Sequence, residues 1–309
     1  MIKVSIIIPV YNAEKYIRET LDSLLEQDID KEIIAVNDGS TDLSLQILKE
    51  YNQKNRCFKY INQTNMGATF ARNNGLKEAT GEYIFFFDAD DLLKPNSLKY
   101  MISKMEKENA DLLISDYELI DSEEKKLGIN RYGDLSQNVN IKHYLITPFP
   151  GNKIFKRTII LDNNICFDPV RIGQDLNFYL KYLIFCRKVA VYKKNCTSYR
   201  VLPMSISNSY DDRVLDIIKS IDYVMKFYGN CDVSYEIRRY MDYVKISNYV
   251  FQMSKISYYE DIVLKINIVN ALSAEVERAK KKIKVKSLFE FKILIYKLKE
   301  YKKYIEQMK

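Results

Sequence analysis

Tryptophan is absent from this 309-residue chain, and histidine occurs once, as His143. With no second histidine to pair with, His143 reads as structural or surface rather than catalytic. Glycine and proline are scarce, 9 and 6 residues, which excludes collagen-like and low-complexity segments. The five cysteines (Cys57, Cys166, Cys186, Cys196, Cys231) are odd in number, scattered and without a CxxC pair. A disulfide framework and a structural zinc site are therefore not expected, and a reduced, cytoplasmic setting fits. No stretch approaches the ~20 apolar residues of a spanning helix. The opening MIKVSIIIPVYN is too short for a leader, is broken by Pro9, and reads as a strand. No repeat of fixed period is visible.

What is present is the composition of a globular protein, 47% hydrophobic and 29% charged. The net charge of +7 is uneven. Residues 278–309 hold twelve Lys or Arg against three Glu, so the body is slightly acidic and the basic character belongs to the tail.

The first half alternates strands and helices. KVSIIIPV (3–10), EIIAVN (32–37), FKYIN (58–62), YIFFF (83–87) and DLLISDYELI (111–120) are apolar runs. Such runs suit strands covered on both faces. Between them, Ile17, Leu21, Leu24 and Leu25 recur at helical spacing. Ser40, Thr41 or Asp42 caps a second helix, a third spans about 68–79, and Pro95 marks a fourth start. Repeated βα units predict an α/β fold with a mostly parallel sheet. From about Asp211 glycine and proline nearly vanish, and three or four amphipathic helices are expected.

Ligands of parallel α/β sheets bind outside the carboxyl ends of the strands. The loops there are PVYN (9–12), NDGSTD (37–42), NQTNMG (62–67) and DADD (88–91). Neither a GxGxxG nor a GxxxxGK[ST] phosphate loop occurs. The chain offers carboxylates instead. Acids crowded at the mouth of a core repel and resist desolvation, so a positive partner is expected. Asp88-Ala89-Asp90 suits Mg²⁺ or Mn²⁺ bound through oxygen, with diphosphate and water completing the shell. The alternative is that these acids cap the next helix and stay solvated.

VSIIIPVYNAEKYIRETLDSLLEQ, VNDGSTD, GATFARNNGLKEATGEYIFFFDADD and GQDLNFYLKYL occur in this order. Together they resemble the family 2 glycosyltransferases, nucleotide-sugar enzymes of the GT-A fold. The resemblance is strong over residues 1–120, reaches about 208, and is absent from the helical tail. It implies a GT-A catalytic domain over 1–208, with a nucleotide-sugar half (1–120) and an acceptor half (121–208), followed by a helical region over 209–309.

The resemblance also implies roles. Pro9 and Tyr11 line the nucleobase pocket, and Asp38 accepts from the uracil imide. Arg72 supplies positive charge near the diphosphate. Asp88 contacts ribose or metal, Ala89 between the two acids contacts the nucleotide sugar, and Asp90 ligates the metal. Asp91 reads nearer to helix capping than to sugar contact. Asp175 is the catalytic base, although Gln174 stands where the family has Glu; its alternative is a plain helix cap. Arg200, with Ser205 or Ser207, closes over phosphate, or Arg200 is an outward residue of a strand. Asn152 and Lys153 are weaker candidates on the acceptor side.

The implied reaction is metal-dependent transfer of a hexose or N-acetylhexosamine from a UDP-sugar, glucose or galactose preferred, with inversion to a β linkage. The acceptor is a glycan or polyprenyl-linked glycan of bacterial polysaccharide or lipid-linked oligosaccharide synthesis. The basic amphipathic tail either lies on an anionic inner membrane face or closes the domain or a homodimer. Nucleic acid is not expected, because no reading motif accompanies the basic residues. The rivals are an inactive nucleotide-sugar-binding subunit and a haloacid-dehalogenase-like phosphatase.

Overall fold

The computed structural model describes residues 2–202 and 210–306. The first apolar run forms β1 (Val4–Val10), followed by α1 (Ile17–Leu25), β2 (Lys31–Asp38), α2 (Ser44–Lys54), β3 (Phe58–Gln63), α3 (Ala68–Lys77) and β4 (Tyr83–Phe86). These strands pair in parallel in the order β3-β2-β1-β4. Their β-branched and aromatic residues suit a sheet buried on both faces. Ile6, Ile7, Ile8, Ile33, Ile34, Val36, Phe85 and Phe86 are fully buried. Each such side chain contributes about 1.5–3 kcal/mol of burial.

Pro9 is tolerated in this interior strand for a local reason. The Ile7 carbonyl accepts from Phe87 N, so by alternation the Pro9 backbone also faces β4, whose pairing has already ended at Phe86. No ladder bond is lost. In α3, a Cβ added at Gly75 would lie 2.5 Å from Ile7 Cγ2, so this glycine lets helix and strand approach.

The sheet continues through β5 (Leu92–Leu93), α4 (Ser97–Lys107), β6 (Leu112–Ile120), β7 (Lys126–Asn130), α5 (Ile141–Leu145), β8 (Lys153–Lys156), α6 (Arg157–Asp162), α7 (Gln174–Leu183) and β9 (Val189–Arg200). The strand order is β3-β2-β1-β4-β8-β6-β9-β5, with β7 on β6. β8 runs antiparallel to both neighbours, β5 and β7 are antiparallel, and the long β6–β9 pair is parallel. Most of the ladder is thus parallel. Asp91 caps no helix. The chain passes through β5 first, and α4 starts after Asn96 in a left-handed turn, φ +60°.

After residue 209 the described chain forms α8 (Asp216–Gly229), α9 (Tyr235–Met253), α10 (Ile262–Lys280) and α11 (Leu288–Glu306). Two compact units result: residues 1–139, 148–169 and 185–203, and residues 140–147, 170–184 and 204–309. The boundary expected at 208/209 falls within the stretch 203–209, outside the described residues. The grouping differs from a single cut because α5 and α7 belong with the C-terminal helices. Tyr228 donates to the Leu180 carbonyl at 2.9 Å and Tyr179 to the His143 carbonyl at 3.0 Å. His143 itself is buried and closes a capping box on Asn140, a structural role. No helix among the described residues is long and apolar enough to cross a membrane.

Candidate active site

The carboxyl ends of β1, β2 and β3 are knitted into one rim by side chains that replace missing backbone partners. Asn12, left-handed at φ +48°, donates its N–H to Ser40 Oγ and accepts from Thr41 N at 2.8 Å. Ala13 N donates to Ser44 Oγ, Glu14 N to Asp42 Oδ2, and Leu43 N to Glu14 Oε2. None of the three expected residues is the cap of α2: the cap position is Leu43, without a side-chain cap bond, and Asp42 just before it accepts from Ser44 N at 2.9 Å. Asn37 Nδ2 donates to Asn62 Oδ1 at 2.7 Å. Tyr11 stands beside this rim with half of its surface, 51%, in solvent, as a stacking surface requires.

Asp38 has a different local task from the imide contact implied by the resemblance. Its Oδ1 accepts from Gln63 Nε2 at 2.7 Å and Met66 N at 2.8 Å, and its Oδ2 from Gly67 N at 2.7 Å. The carboxylate is almost fully buried. Three donors occupy a group with about four acceptor sites. Asp38 therefore anchors the loop after β3 to the end of β2.

The Asp88–Asp91 turn follows β4. Arg72, on α3, meets Asp88 Oδ1 at 2.7 Å. The arginine side chain is 7% exposed and the aspartate 26%, so the pair is buried on its basic side and open on its acidic side. The guanidinium also lies 5.5 Å from the centre of the Phe167 ring. Asn73 holds Phe167 in place by exchanging hydrogen bonds with its N–H and carbonyl, at 3.0 and 2.8 Å. Burial, and secondarily the charge of Asp88, push the Asp90 carboxyl up to about 6. Burial and the charges of Asp88 and Asp90 hold Asp91 well above the usual carboxylate range. Asp91 Oδ2 is buried without a hydrogen-bond partner, and Oδ1 accepts from Arg200 N at 2.9 Å. A crowded set of oxygen donors with raised proton affinity fits a hard divalent cation. Among the described residues no group of three or more His, Cys, Asp or Glu is arranged to hold a metal alone.

Arg200 has no open fork for phosphate. Its side chain is 1% exposed, and its donors go to the Asp90 and Ser122 carbonyls and to Glu19. Ser205 and Ser207 lie outside the described residues. Asn152 and Lys153 are fully buried. Asn152 donates to the Ser115 carbonyl of β6 at 2.6 Å and Lys153 to the Phe149 carbonyl at 2.7 Å, which fixes the turn that leads into β8. Thr20, Glu19 and Tyr16, which lie around Arg200 and the acidic turn, carry no signal in a single sequence. They bridge segments some 70 to 180 positions apart.

Asp175 belongs to the second unit, in the first turn of α7, where the helix dipole favours a carboxylate. The residue before α7, Gly173, is left-handed at φ +83°, and a Cβ there would lie 2.8 Å from Ser220 Oγ and 2.9 Å from Ile217 Cδ1. The Gly173 carbonyl accepts from Ser220 Oγ at 2.7 Å. Arg171 Nε pairs with Asp216 Oδ2 at 2.7 Å, and the guanidinium beside Asp216 holds that carboxyl far below its usual range, against burial. The start of α7 is thus fixed on α8.

A family model described as Glycosyl transferase family 2 matches residues 5–162, just over half of the chain. The chain belongs to glycosyl transferase family 2. Relatives include the glycosyltransferase GlyA of Streptococcus pneumoniae, 28% identical over 303 residues. Another is the poly(ribitol-phosphate) beta-N-acetylglucosaminyltransferase TarS of Staphylococcus aureus, 31% identical over 207. These matches take in 91% and 62% of this chain, and 43% and 34% of GlyA and TarS, so the chain spans less than half the length of either. The crystal structure of S. aureus TarS 1-349 in complex with UDP-GlcNAc aligns with a TM-score of 0.78 at 23% identity, covering 99% of this chain and 91% of that one. The two share the GT-A fold.

Proposed function

We propose that the protein transfers a hexose or N-acetylhexosamine from a UDP-sugar to a hydroxyl of a glycan or polyprenyl-linked glycan acceptor, with inversion to a β linkage. The observation that carries this reading is the Arg72–Asp88 pair beside Asp90 at the carboxyl edge of the parallel strands, in a chain of this family. That TarS binds UDP-GlcNAc in the same fold supports a uridine donor.

In this reading Tyr11 and Pro9 bound the base pocket, with the Tyr11 ring available for stacking. Arg72 places fixed positive charge beside the diphosphate, and its partner Asp88 keeps the guanidinium oriented. Mn²⁺ or Mg²⁺, held by Asp88 and Asp90, would supply further charge neutralisation of the leaving diphosphate. Asp175 takes the proton of the acceptor hydroxyl as general base. The acceptor oxygen forms the new bond to the anomeric carbon while the bond to the diphosphate breaks, and UDP departs with the electron pair. A single displacement inverts the anomeric centre. Gln174 cannot compete for the proton, so its presence leaves the base chemistry intact.

The tail supports a second element of the proposal, peripheral contact with an anionic membrane face. Along α11, Leu288, Phe291 and Ile295 are exposed together with Lys292, Lys299 and Lys302. Apolar side chains beside lysines complement acyl chains beneath acidic headgroups.

Asp175→Asn tests the enzymatic reading against a binding subunit. The expected result is a loss of transfer of about 10³-fold or more with UDP affinity unchanged. Transfer at the wild-type rate would remove Asp175 from the chemistry.

A further inference from the structure

The acidic turn is held from beneath by its own backbone. Thr20 Oγ1 lies 3.0 Å from the Ala89 carbonyl and 2.9 Å from that of Asp91. Arg200 Nε donates to the carbonyl between them, that of Asp90, at 2.9 Å. Thr20, with one hydroxyl proton shared between two of them, and Arg200 together face three successive carbonyls, and both side chains are buried. Arg200 N holds Asp91 Oδ1, and Asp91 N closes the turn on the Asp88 carbonyl at 3.3 Å. The arginine is itself fixed on every side. Its Nη atoms meet Ser122 O at 3.4 Å, Glu19 Oε2 at 3.1 Å and Glu124 Oε1 at 3.5 Å, and its guanidinium lies 4.6 Å from the centre of the Tyr16 ring.

We propose that Arg200, together with Thr20, is a positioning residue that sets the backbone of the Asp88–Asp91 turn and so the placement of Asp90, without touching the nucleotide. The inference rests on the donor reading above. A phosphate-binding arginine must offer its fork to the ligand, whereas this fork is distributed over protein oxygens under the turn. Clamping the Asp90 carbonyl fixes the peptide plane from which the Asp90 side chain projects. A displacement of about 1 Å in such a group costs on the order of 100-fold in rate. The guanidinium also brings a fixed charge to a loop of three acids while its donors stay on protein oxygens.

The test compares Arg200→Gln, Arg200→Lys and Thr20→Val by two measurements. One is the affinity of the full chain for UDP in EDTA, by calorimetry. The other is kcat, with the Mn²⁺ concentration for half-maximal release of UDP from its sugar. Positioning predicts that all three variants bind metal-free UDP within about twofold of wild type. Their kcat falls, or their Mn²⁺ requirement rises, by about tenfold or more. Thr20→Ser, which restores the hydroxyl, recovers the wild-type values. Thr20→Val keeps side-chain volume and carries the test if Arg200→Gln does not fold. A large loss of metal-free UDP affinity in Arg200→Gln, with Thr20→Val unaffected, would make Arg200 a phosphate ligand and overturn the proposal. So would variants that lose only thermal stability. Failure of the donor reading shows separately, as a wild-type chain that neither binds UDP nor releases it.

Discussion

At the scale of single residues, the site is defined by how acids are disposed of. Asp90 sits close to Asp88 and Asp91 in a half-buried turn, and the ionised form is disfavoured there. Asp90→Asn should therefore raise the metal-free stability at pH 7, by about 1–2 kcal/mol, while abolishing metal-assisted turnover. Thermal unfolding and UDP release on the same sample check both halves, and a lower melting temperature would contradict the crowding argument. Asp38 is the opposite case, a carboxylate with three donors. Asp38→Ala removes the acceptor of two backbone N–H groups and of Gln63 Nε2 and should cost about 2–4 kcal/mol. Hydrogen exchange at Met66 and Gly67 should accelerate with it.

Single residues were also where the sequence was least complete as a guide. The DADD turn and Arg72 stand out as acids and a base in loops and helix starts. The division of labour does not: Asp38 as loop anchor, Arg200 as a buried clamp and Thr20 as a carbonyl donor all depend on contacts across the sheet. One sequence contains no trace of such pairings.

At the scale of elements, periodicity carried the first half of the sheet and the helices between its strands. Apolar runs bounded by polar loops marked β1 to β4 and β6, and i, i+4 spacing marked the helices between, because burial on two faces leaves no polar alternation. What it missed were β5, β7 and β8, short antiparallel strands whose pairing is set by neighbours rather than by their own residues, and β9, of which only the end around Arg200 was raised as an alternative. The entry to α7 is an element-scale device with testable consequences. Gly173→Ala meets both a left-handed backbone and a collision with Ser220 and Ile217. It should destabilise the fold by about 1–3 kcal/mol and lower kcat more than donor KM if Asp175 is the base.

The Arg171–Asp216 pair sets a pH dependence at the same place. The Asp216 carboxyl is depressed in the fold, so its stabilisation is complete above the unfolded value of about 3.9 and is lost progressively as pH falls from there through the much lower folded value. Asp216→Asn should lower the melting temperature most at pH 7 and somewhat less at pH 3, where the folded carboxyl is still largely ionised. A loss that grows as pH falls from 7 to 3 would show that the pair's charge is not responsible.

At the scale of the whole molecule, the chain carries a sheet-bearing unit with the acidic turn and a helical unit that includes α5 and α7. That grouping differs from a linear cut near 208 at those two helices, which pack on α8 and α9, far along the chain. The tail's charge was legible from composition, and its exposed apolar residues on α11 turn it into a prediction. The protein should float with vesicles containing about one third phosphatidylglycerol and not with neutral phosphatidylcholine vesicles, and binding should weaken as salt rises. Leu288→Ser with Phe291→Ser should reduce it without altering UDP release in solution. A concentration-dependent dimer lost in the same double variant would instead assign this face to a second copy.

The central claim is donor chemistry, and the most direct measurement is UDP, GDP or CDP release across a panel of nucleotide sugars with Mn²⁺, Mg²⁺ or EDTA. The account predicts slow release of UDP from one UDP-sugar without any acceptor, lost in EDTA and in Asp90→Asn. Release that is indifferent to EDTA would remove Asp88 and Asp90 as metal ligands, and no binding or release with any nucleotide sugar would contradict the account as a whole.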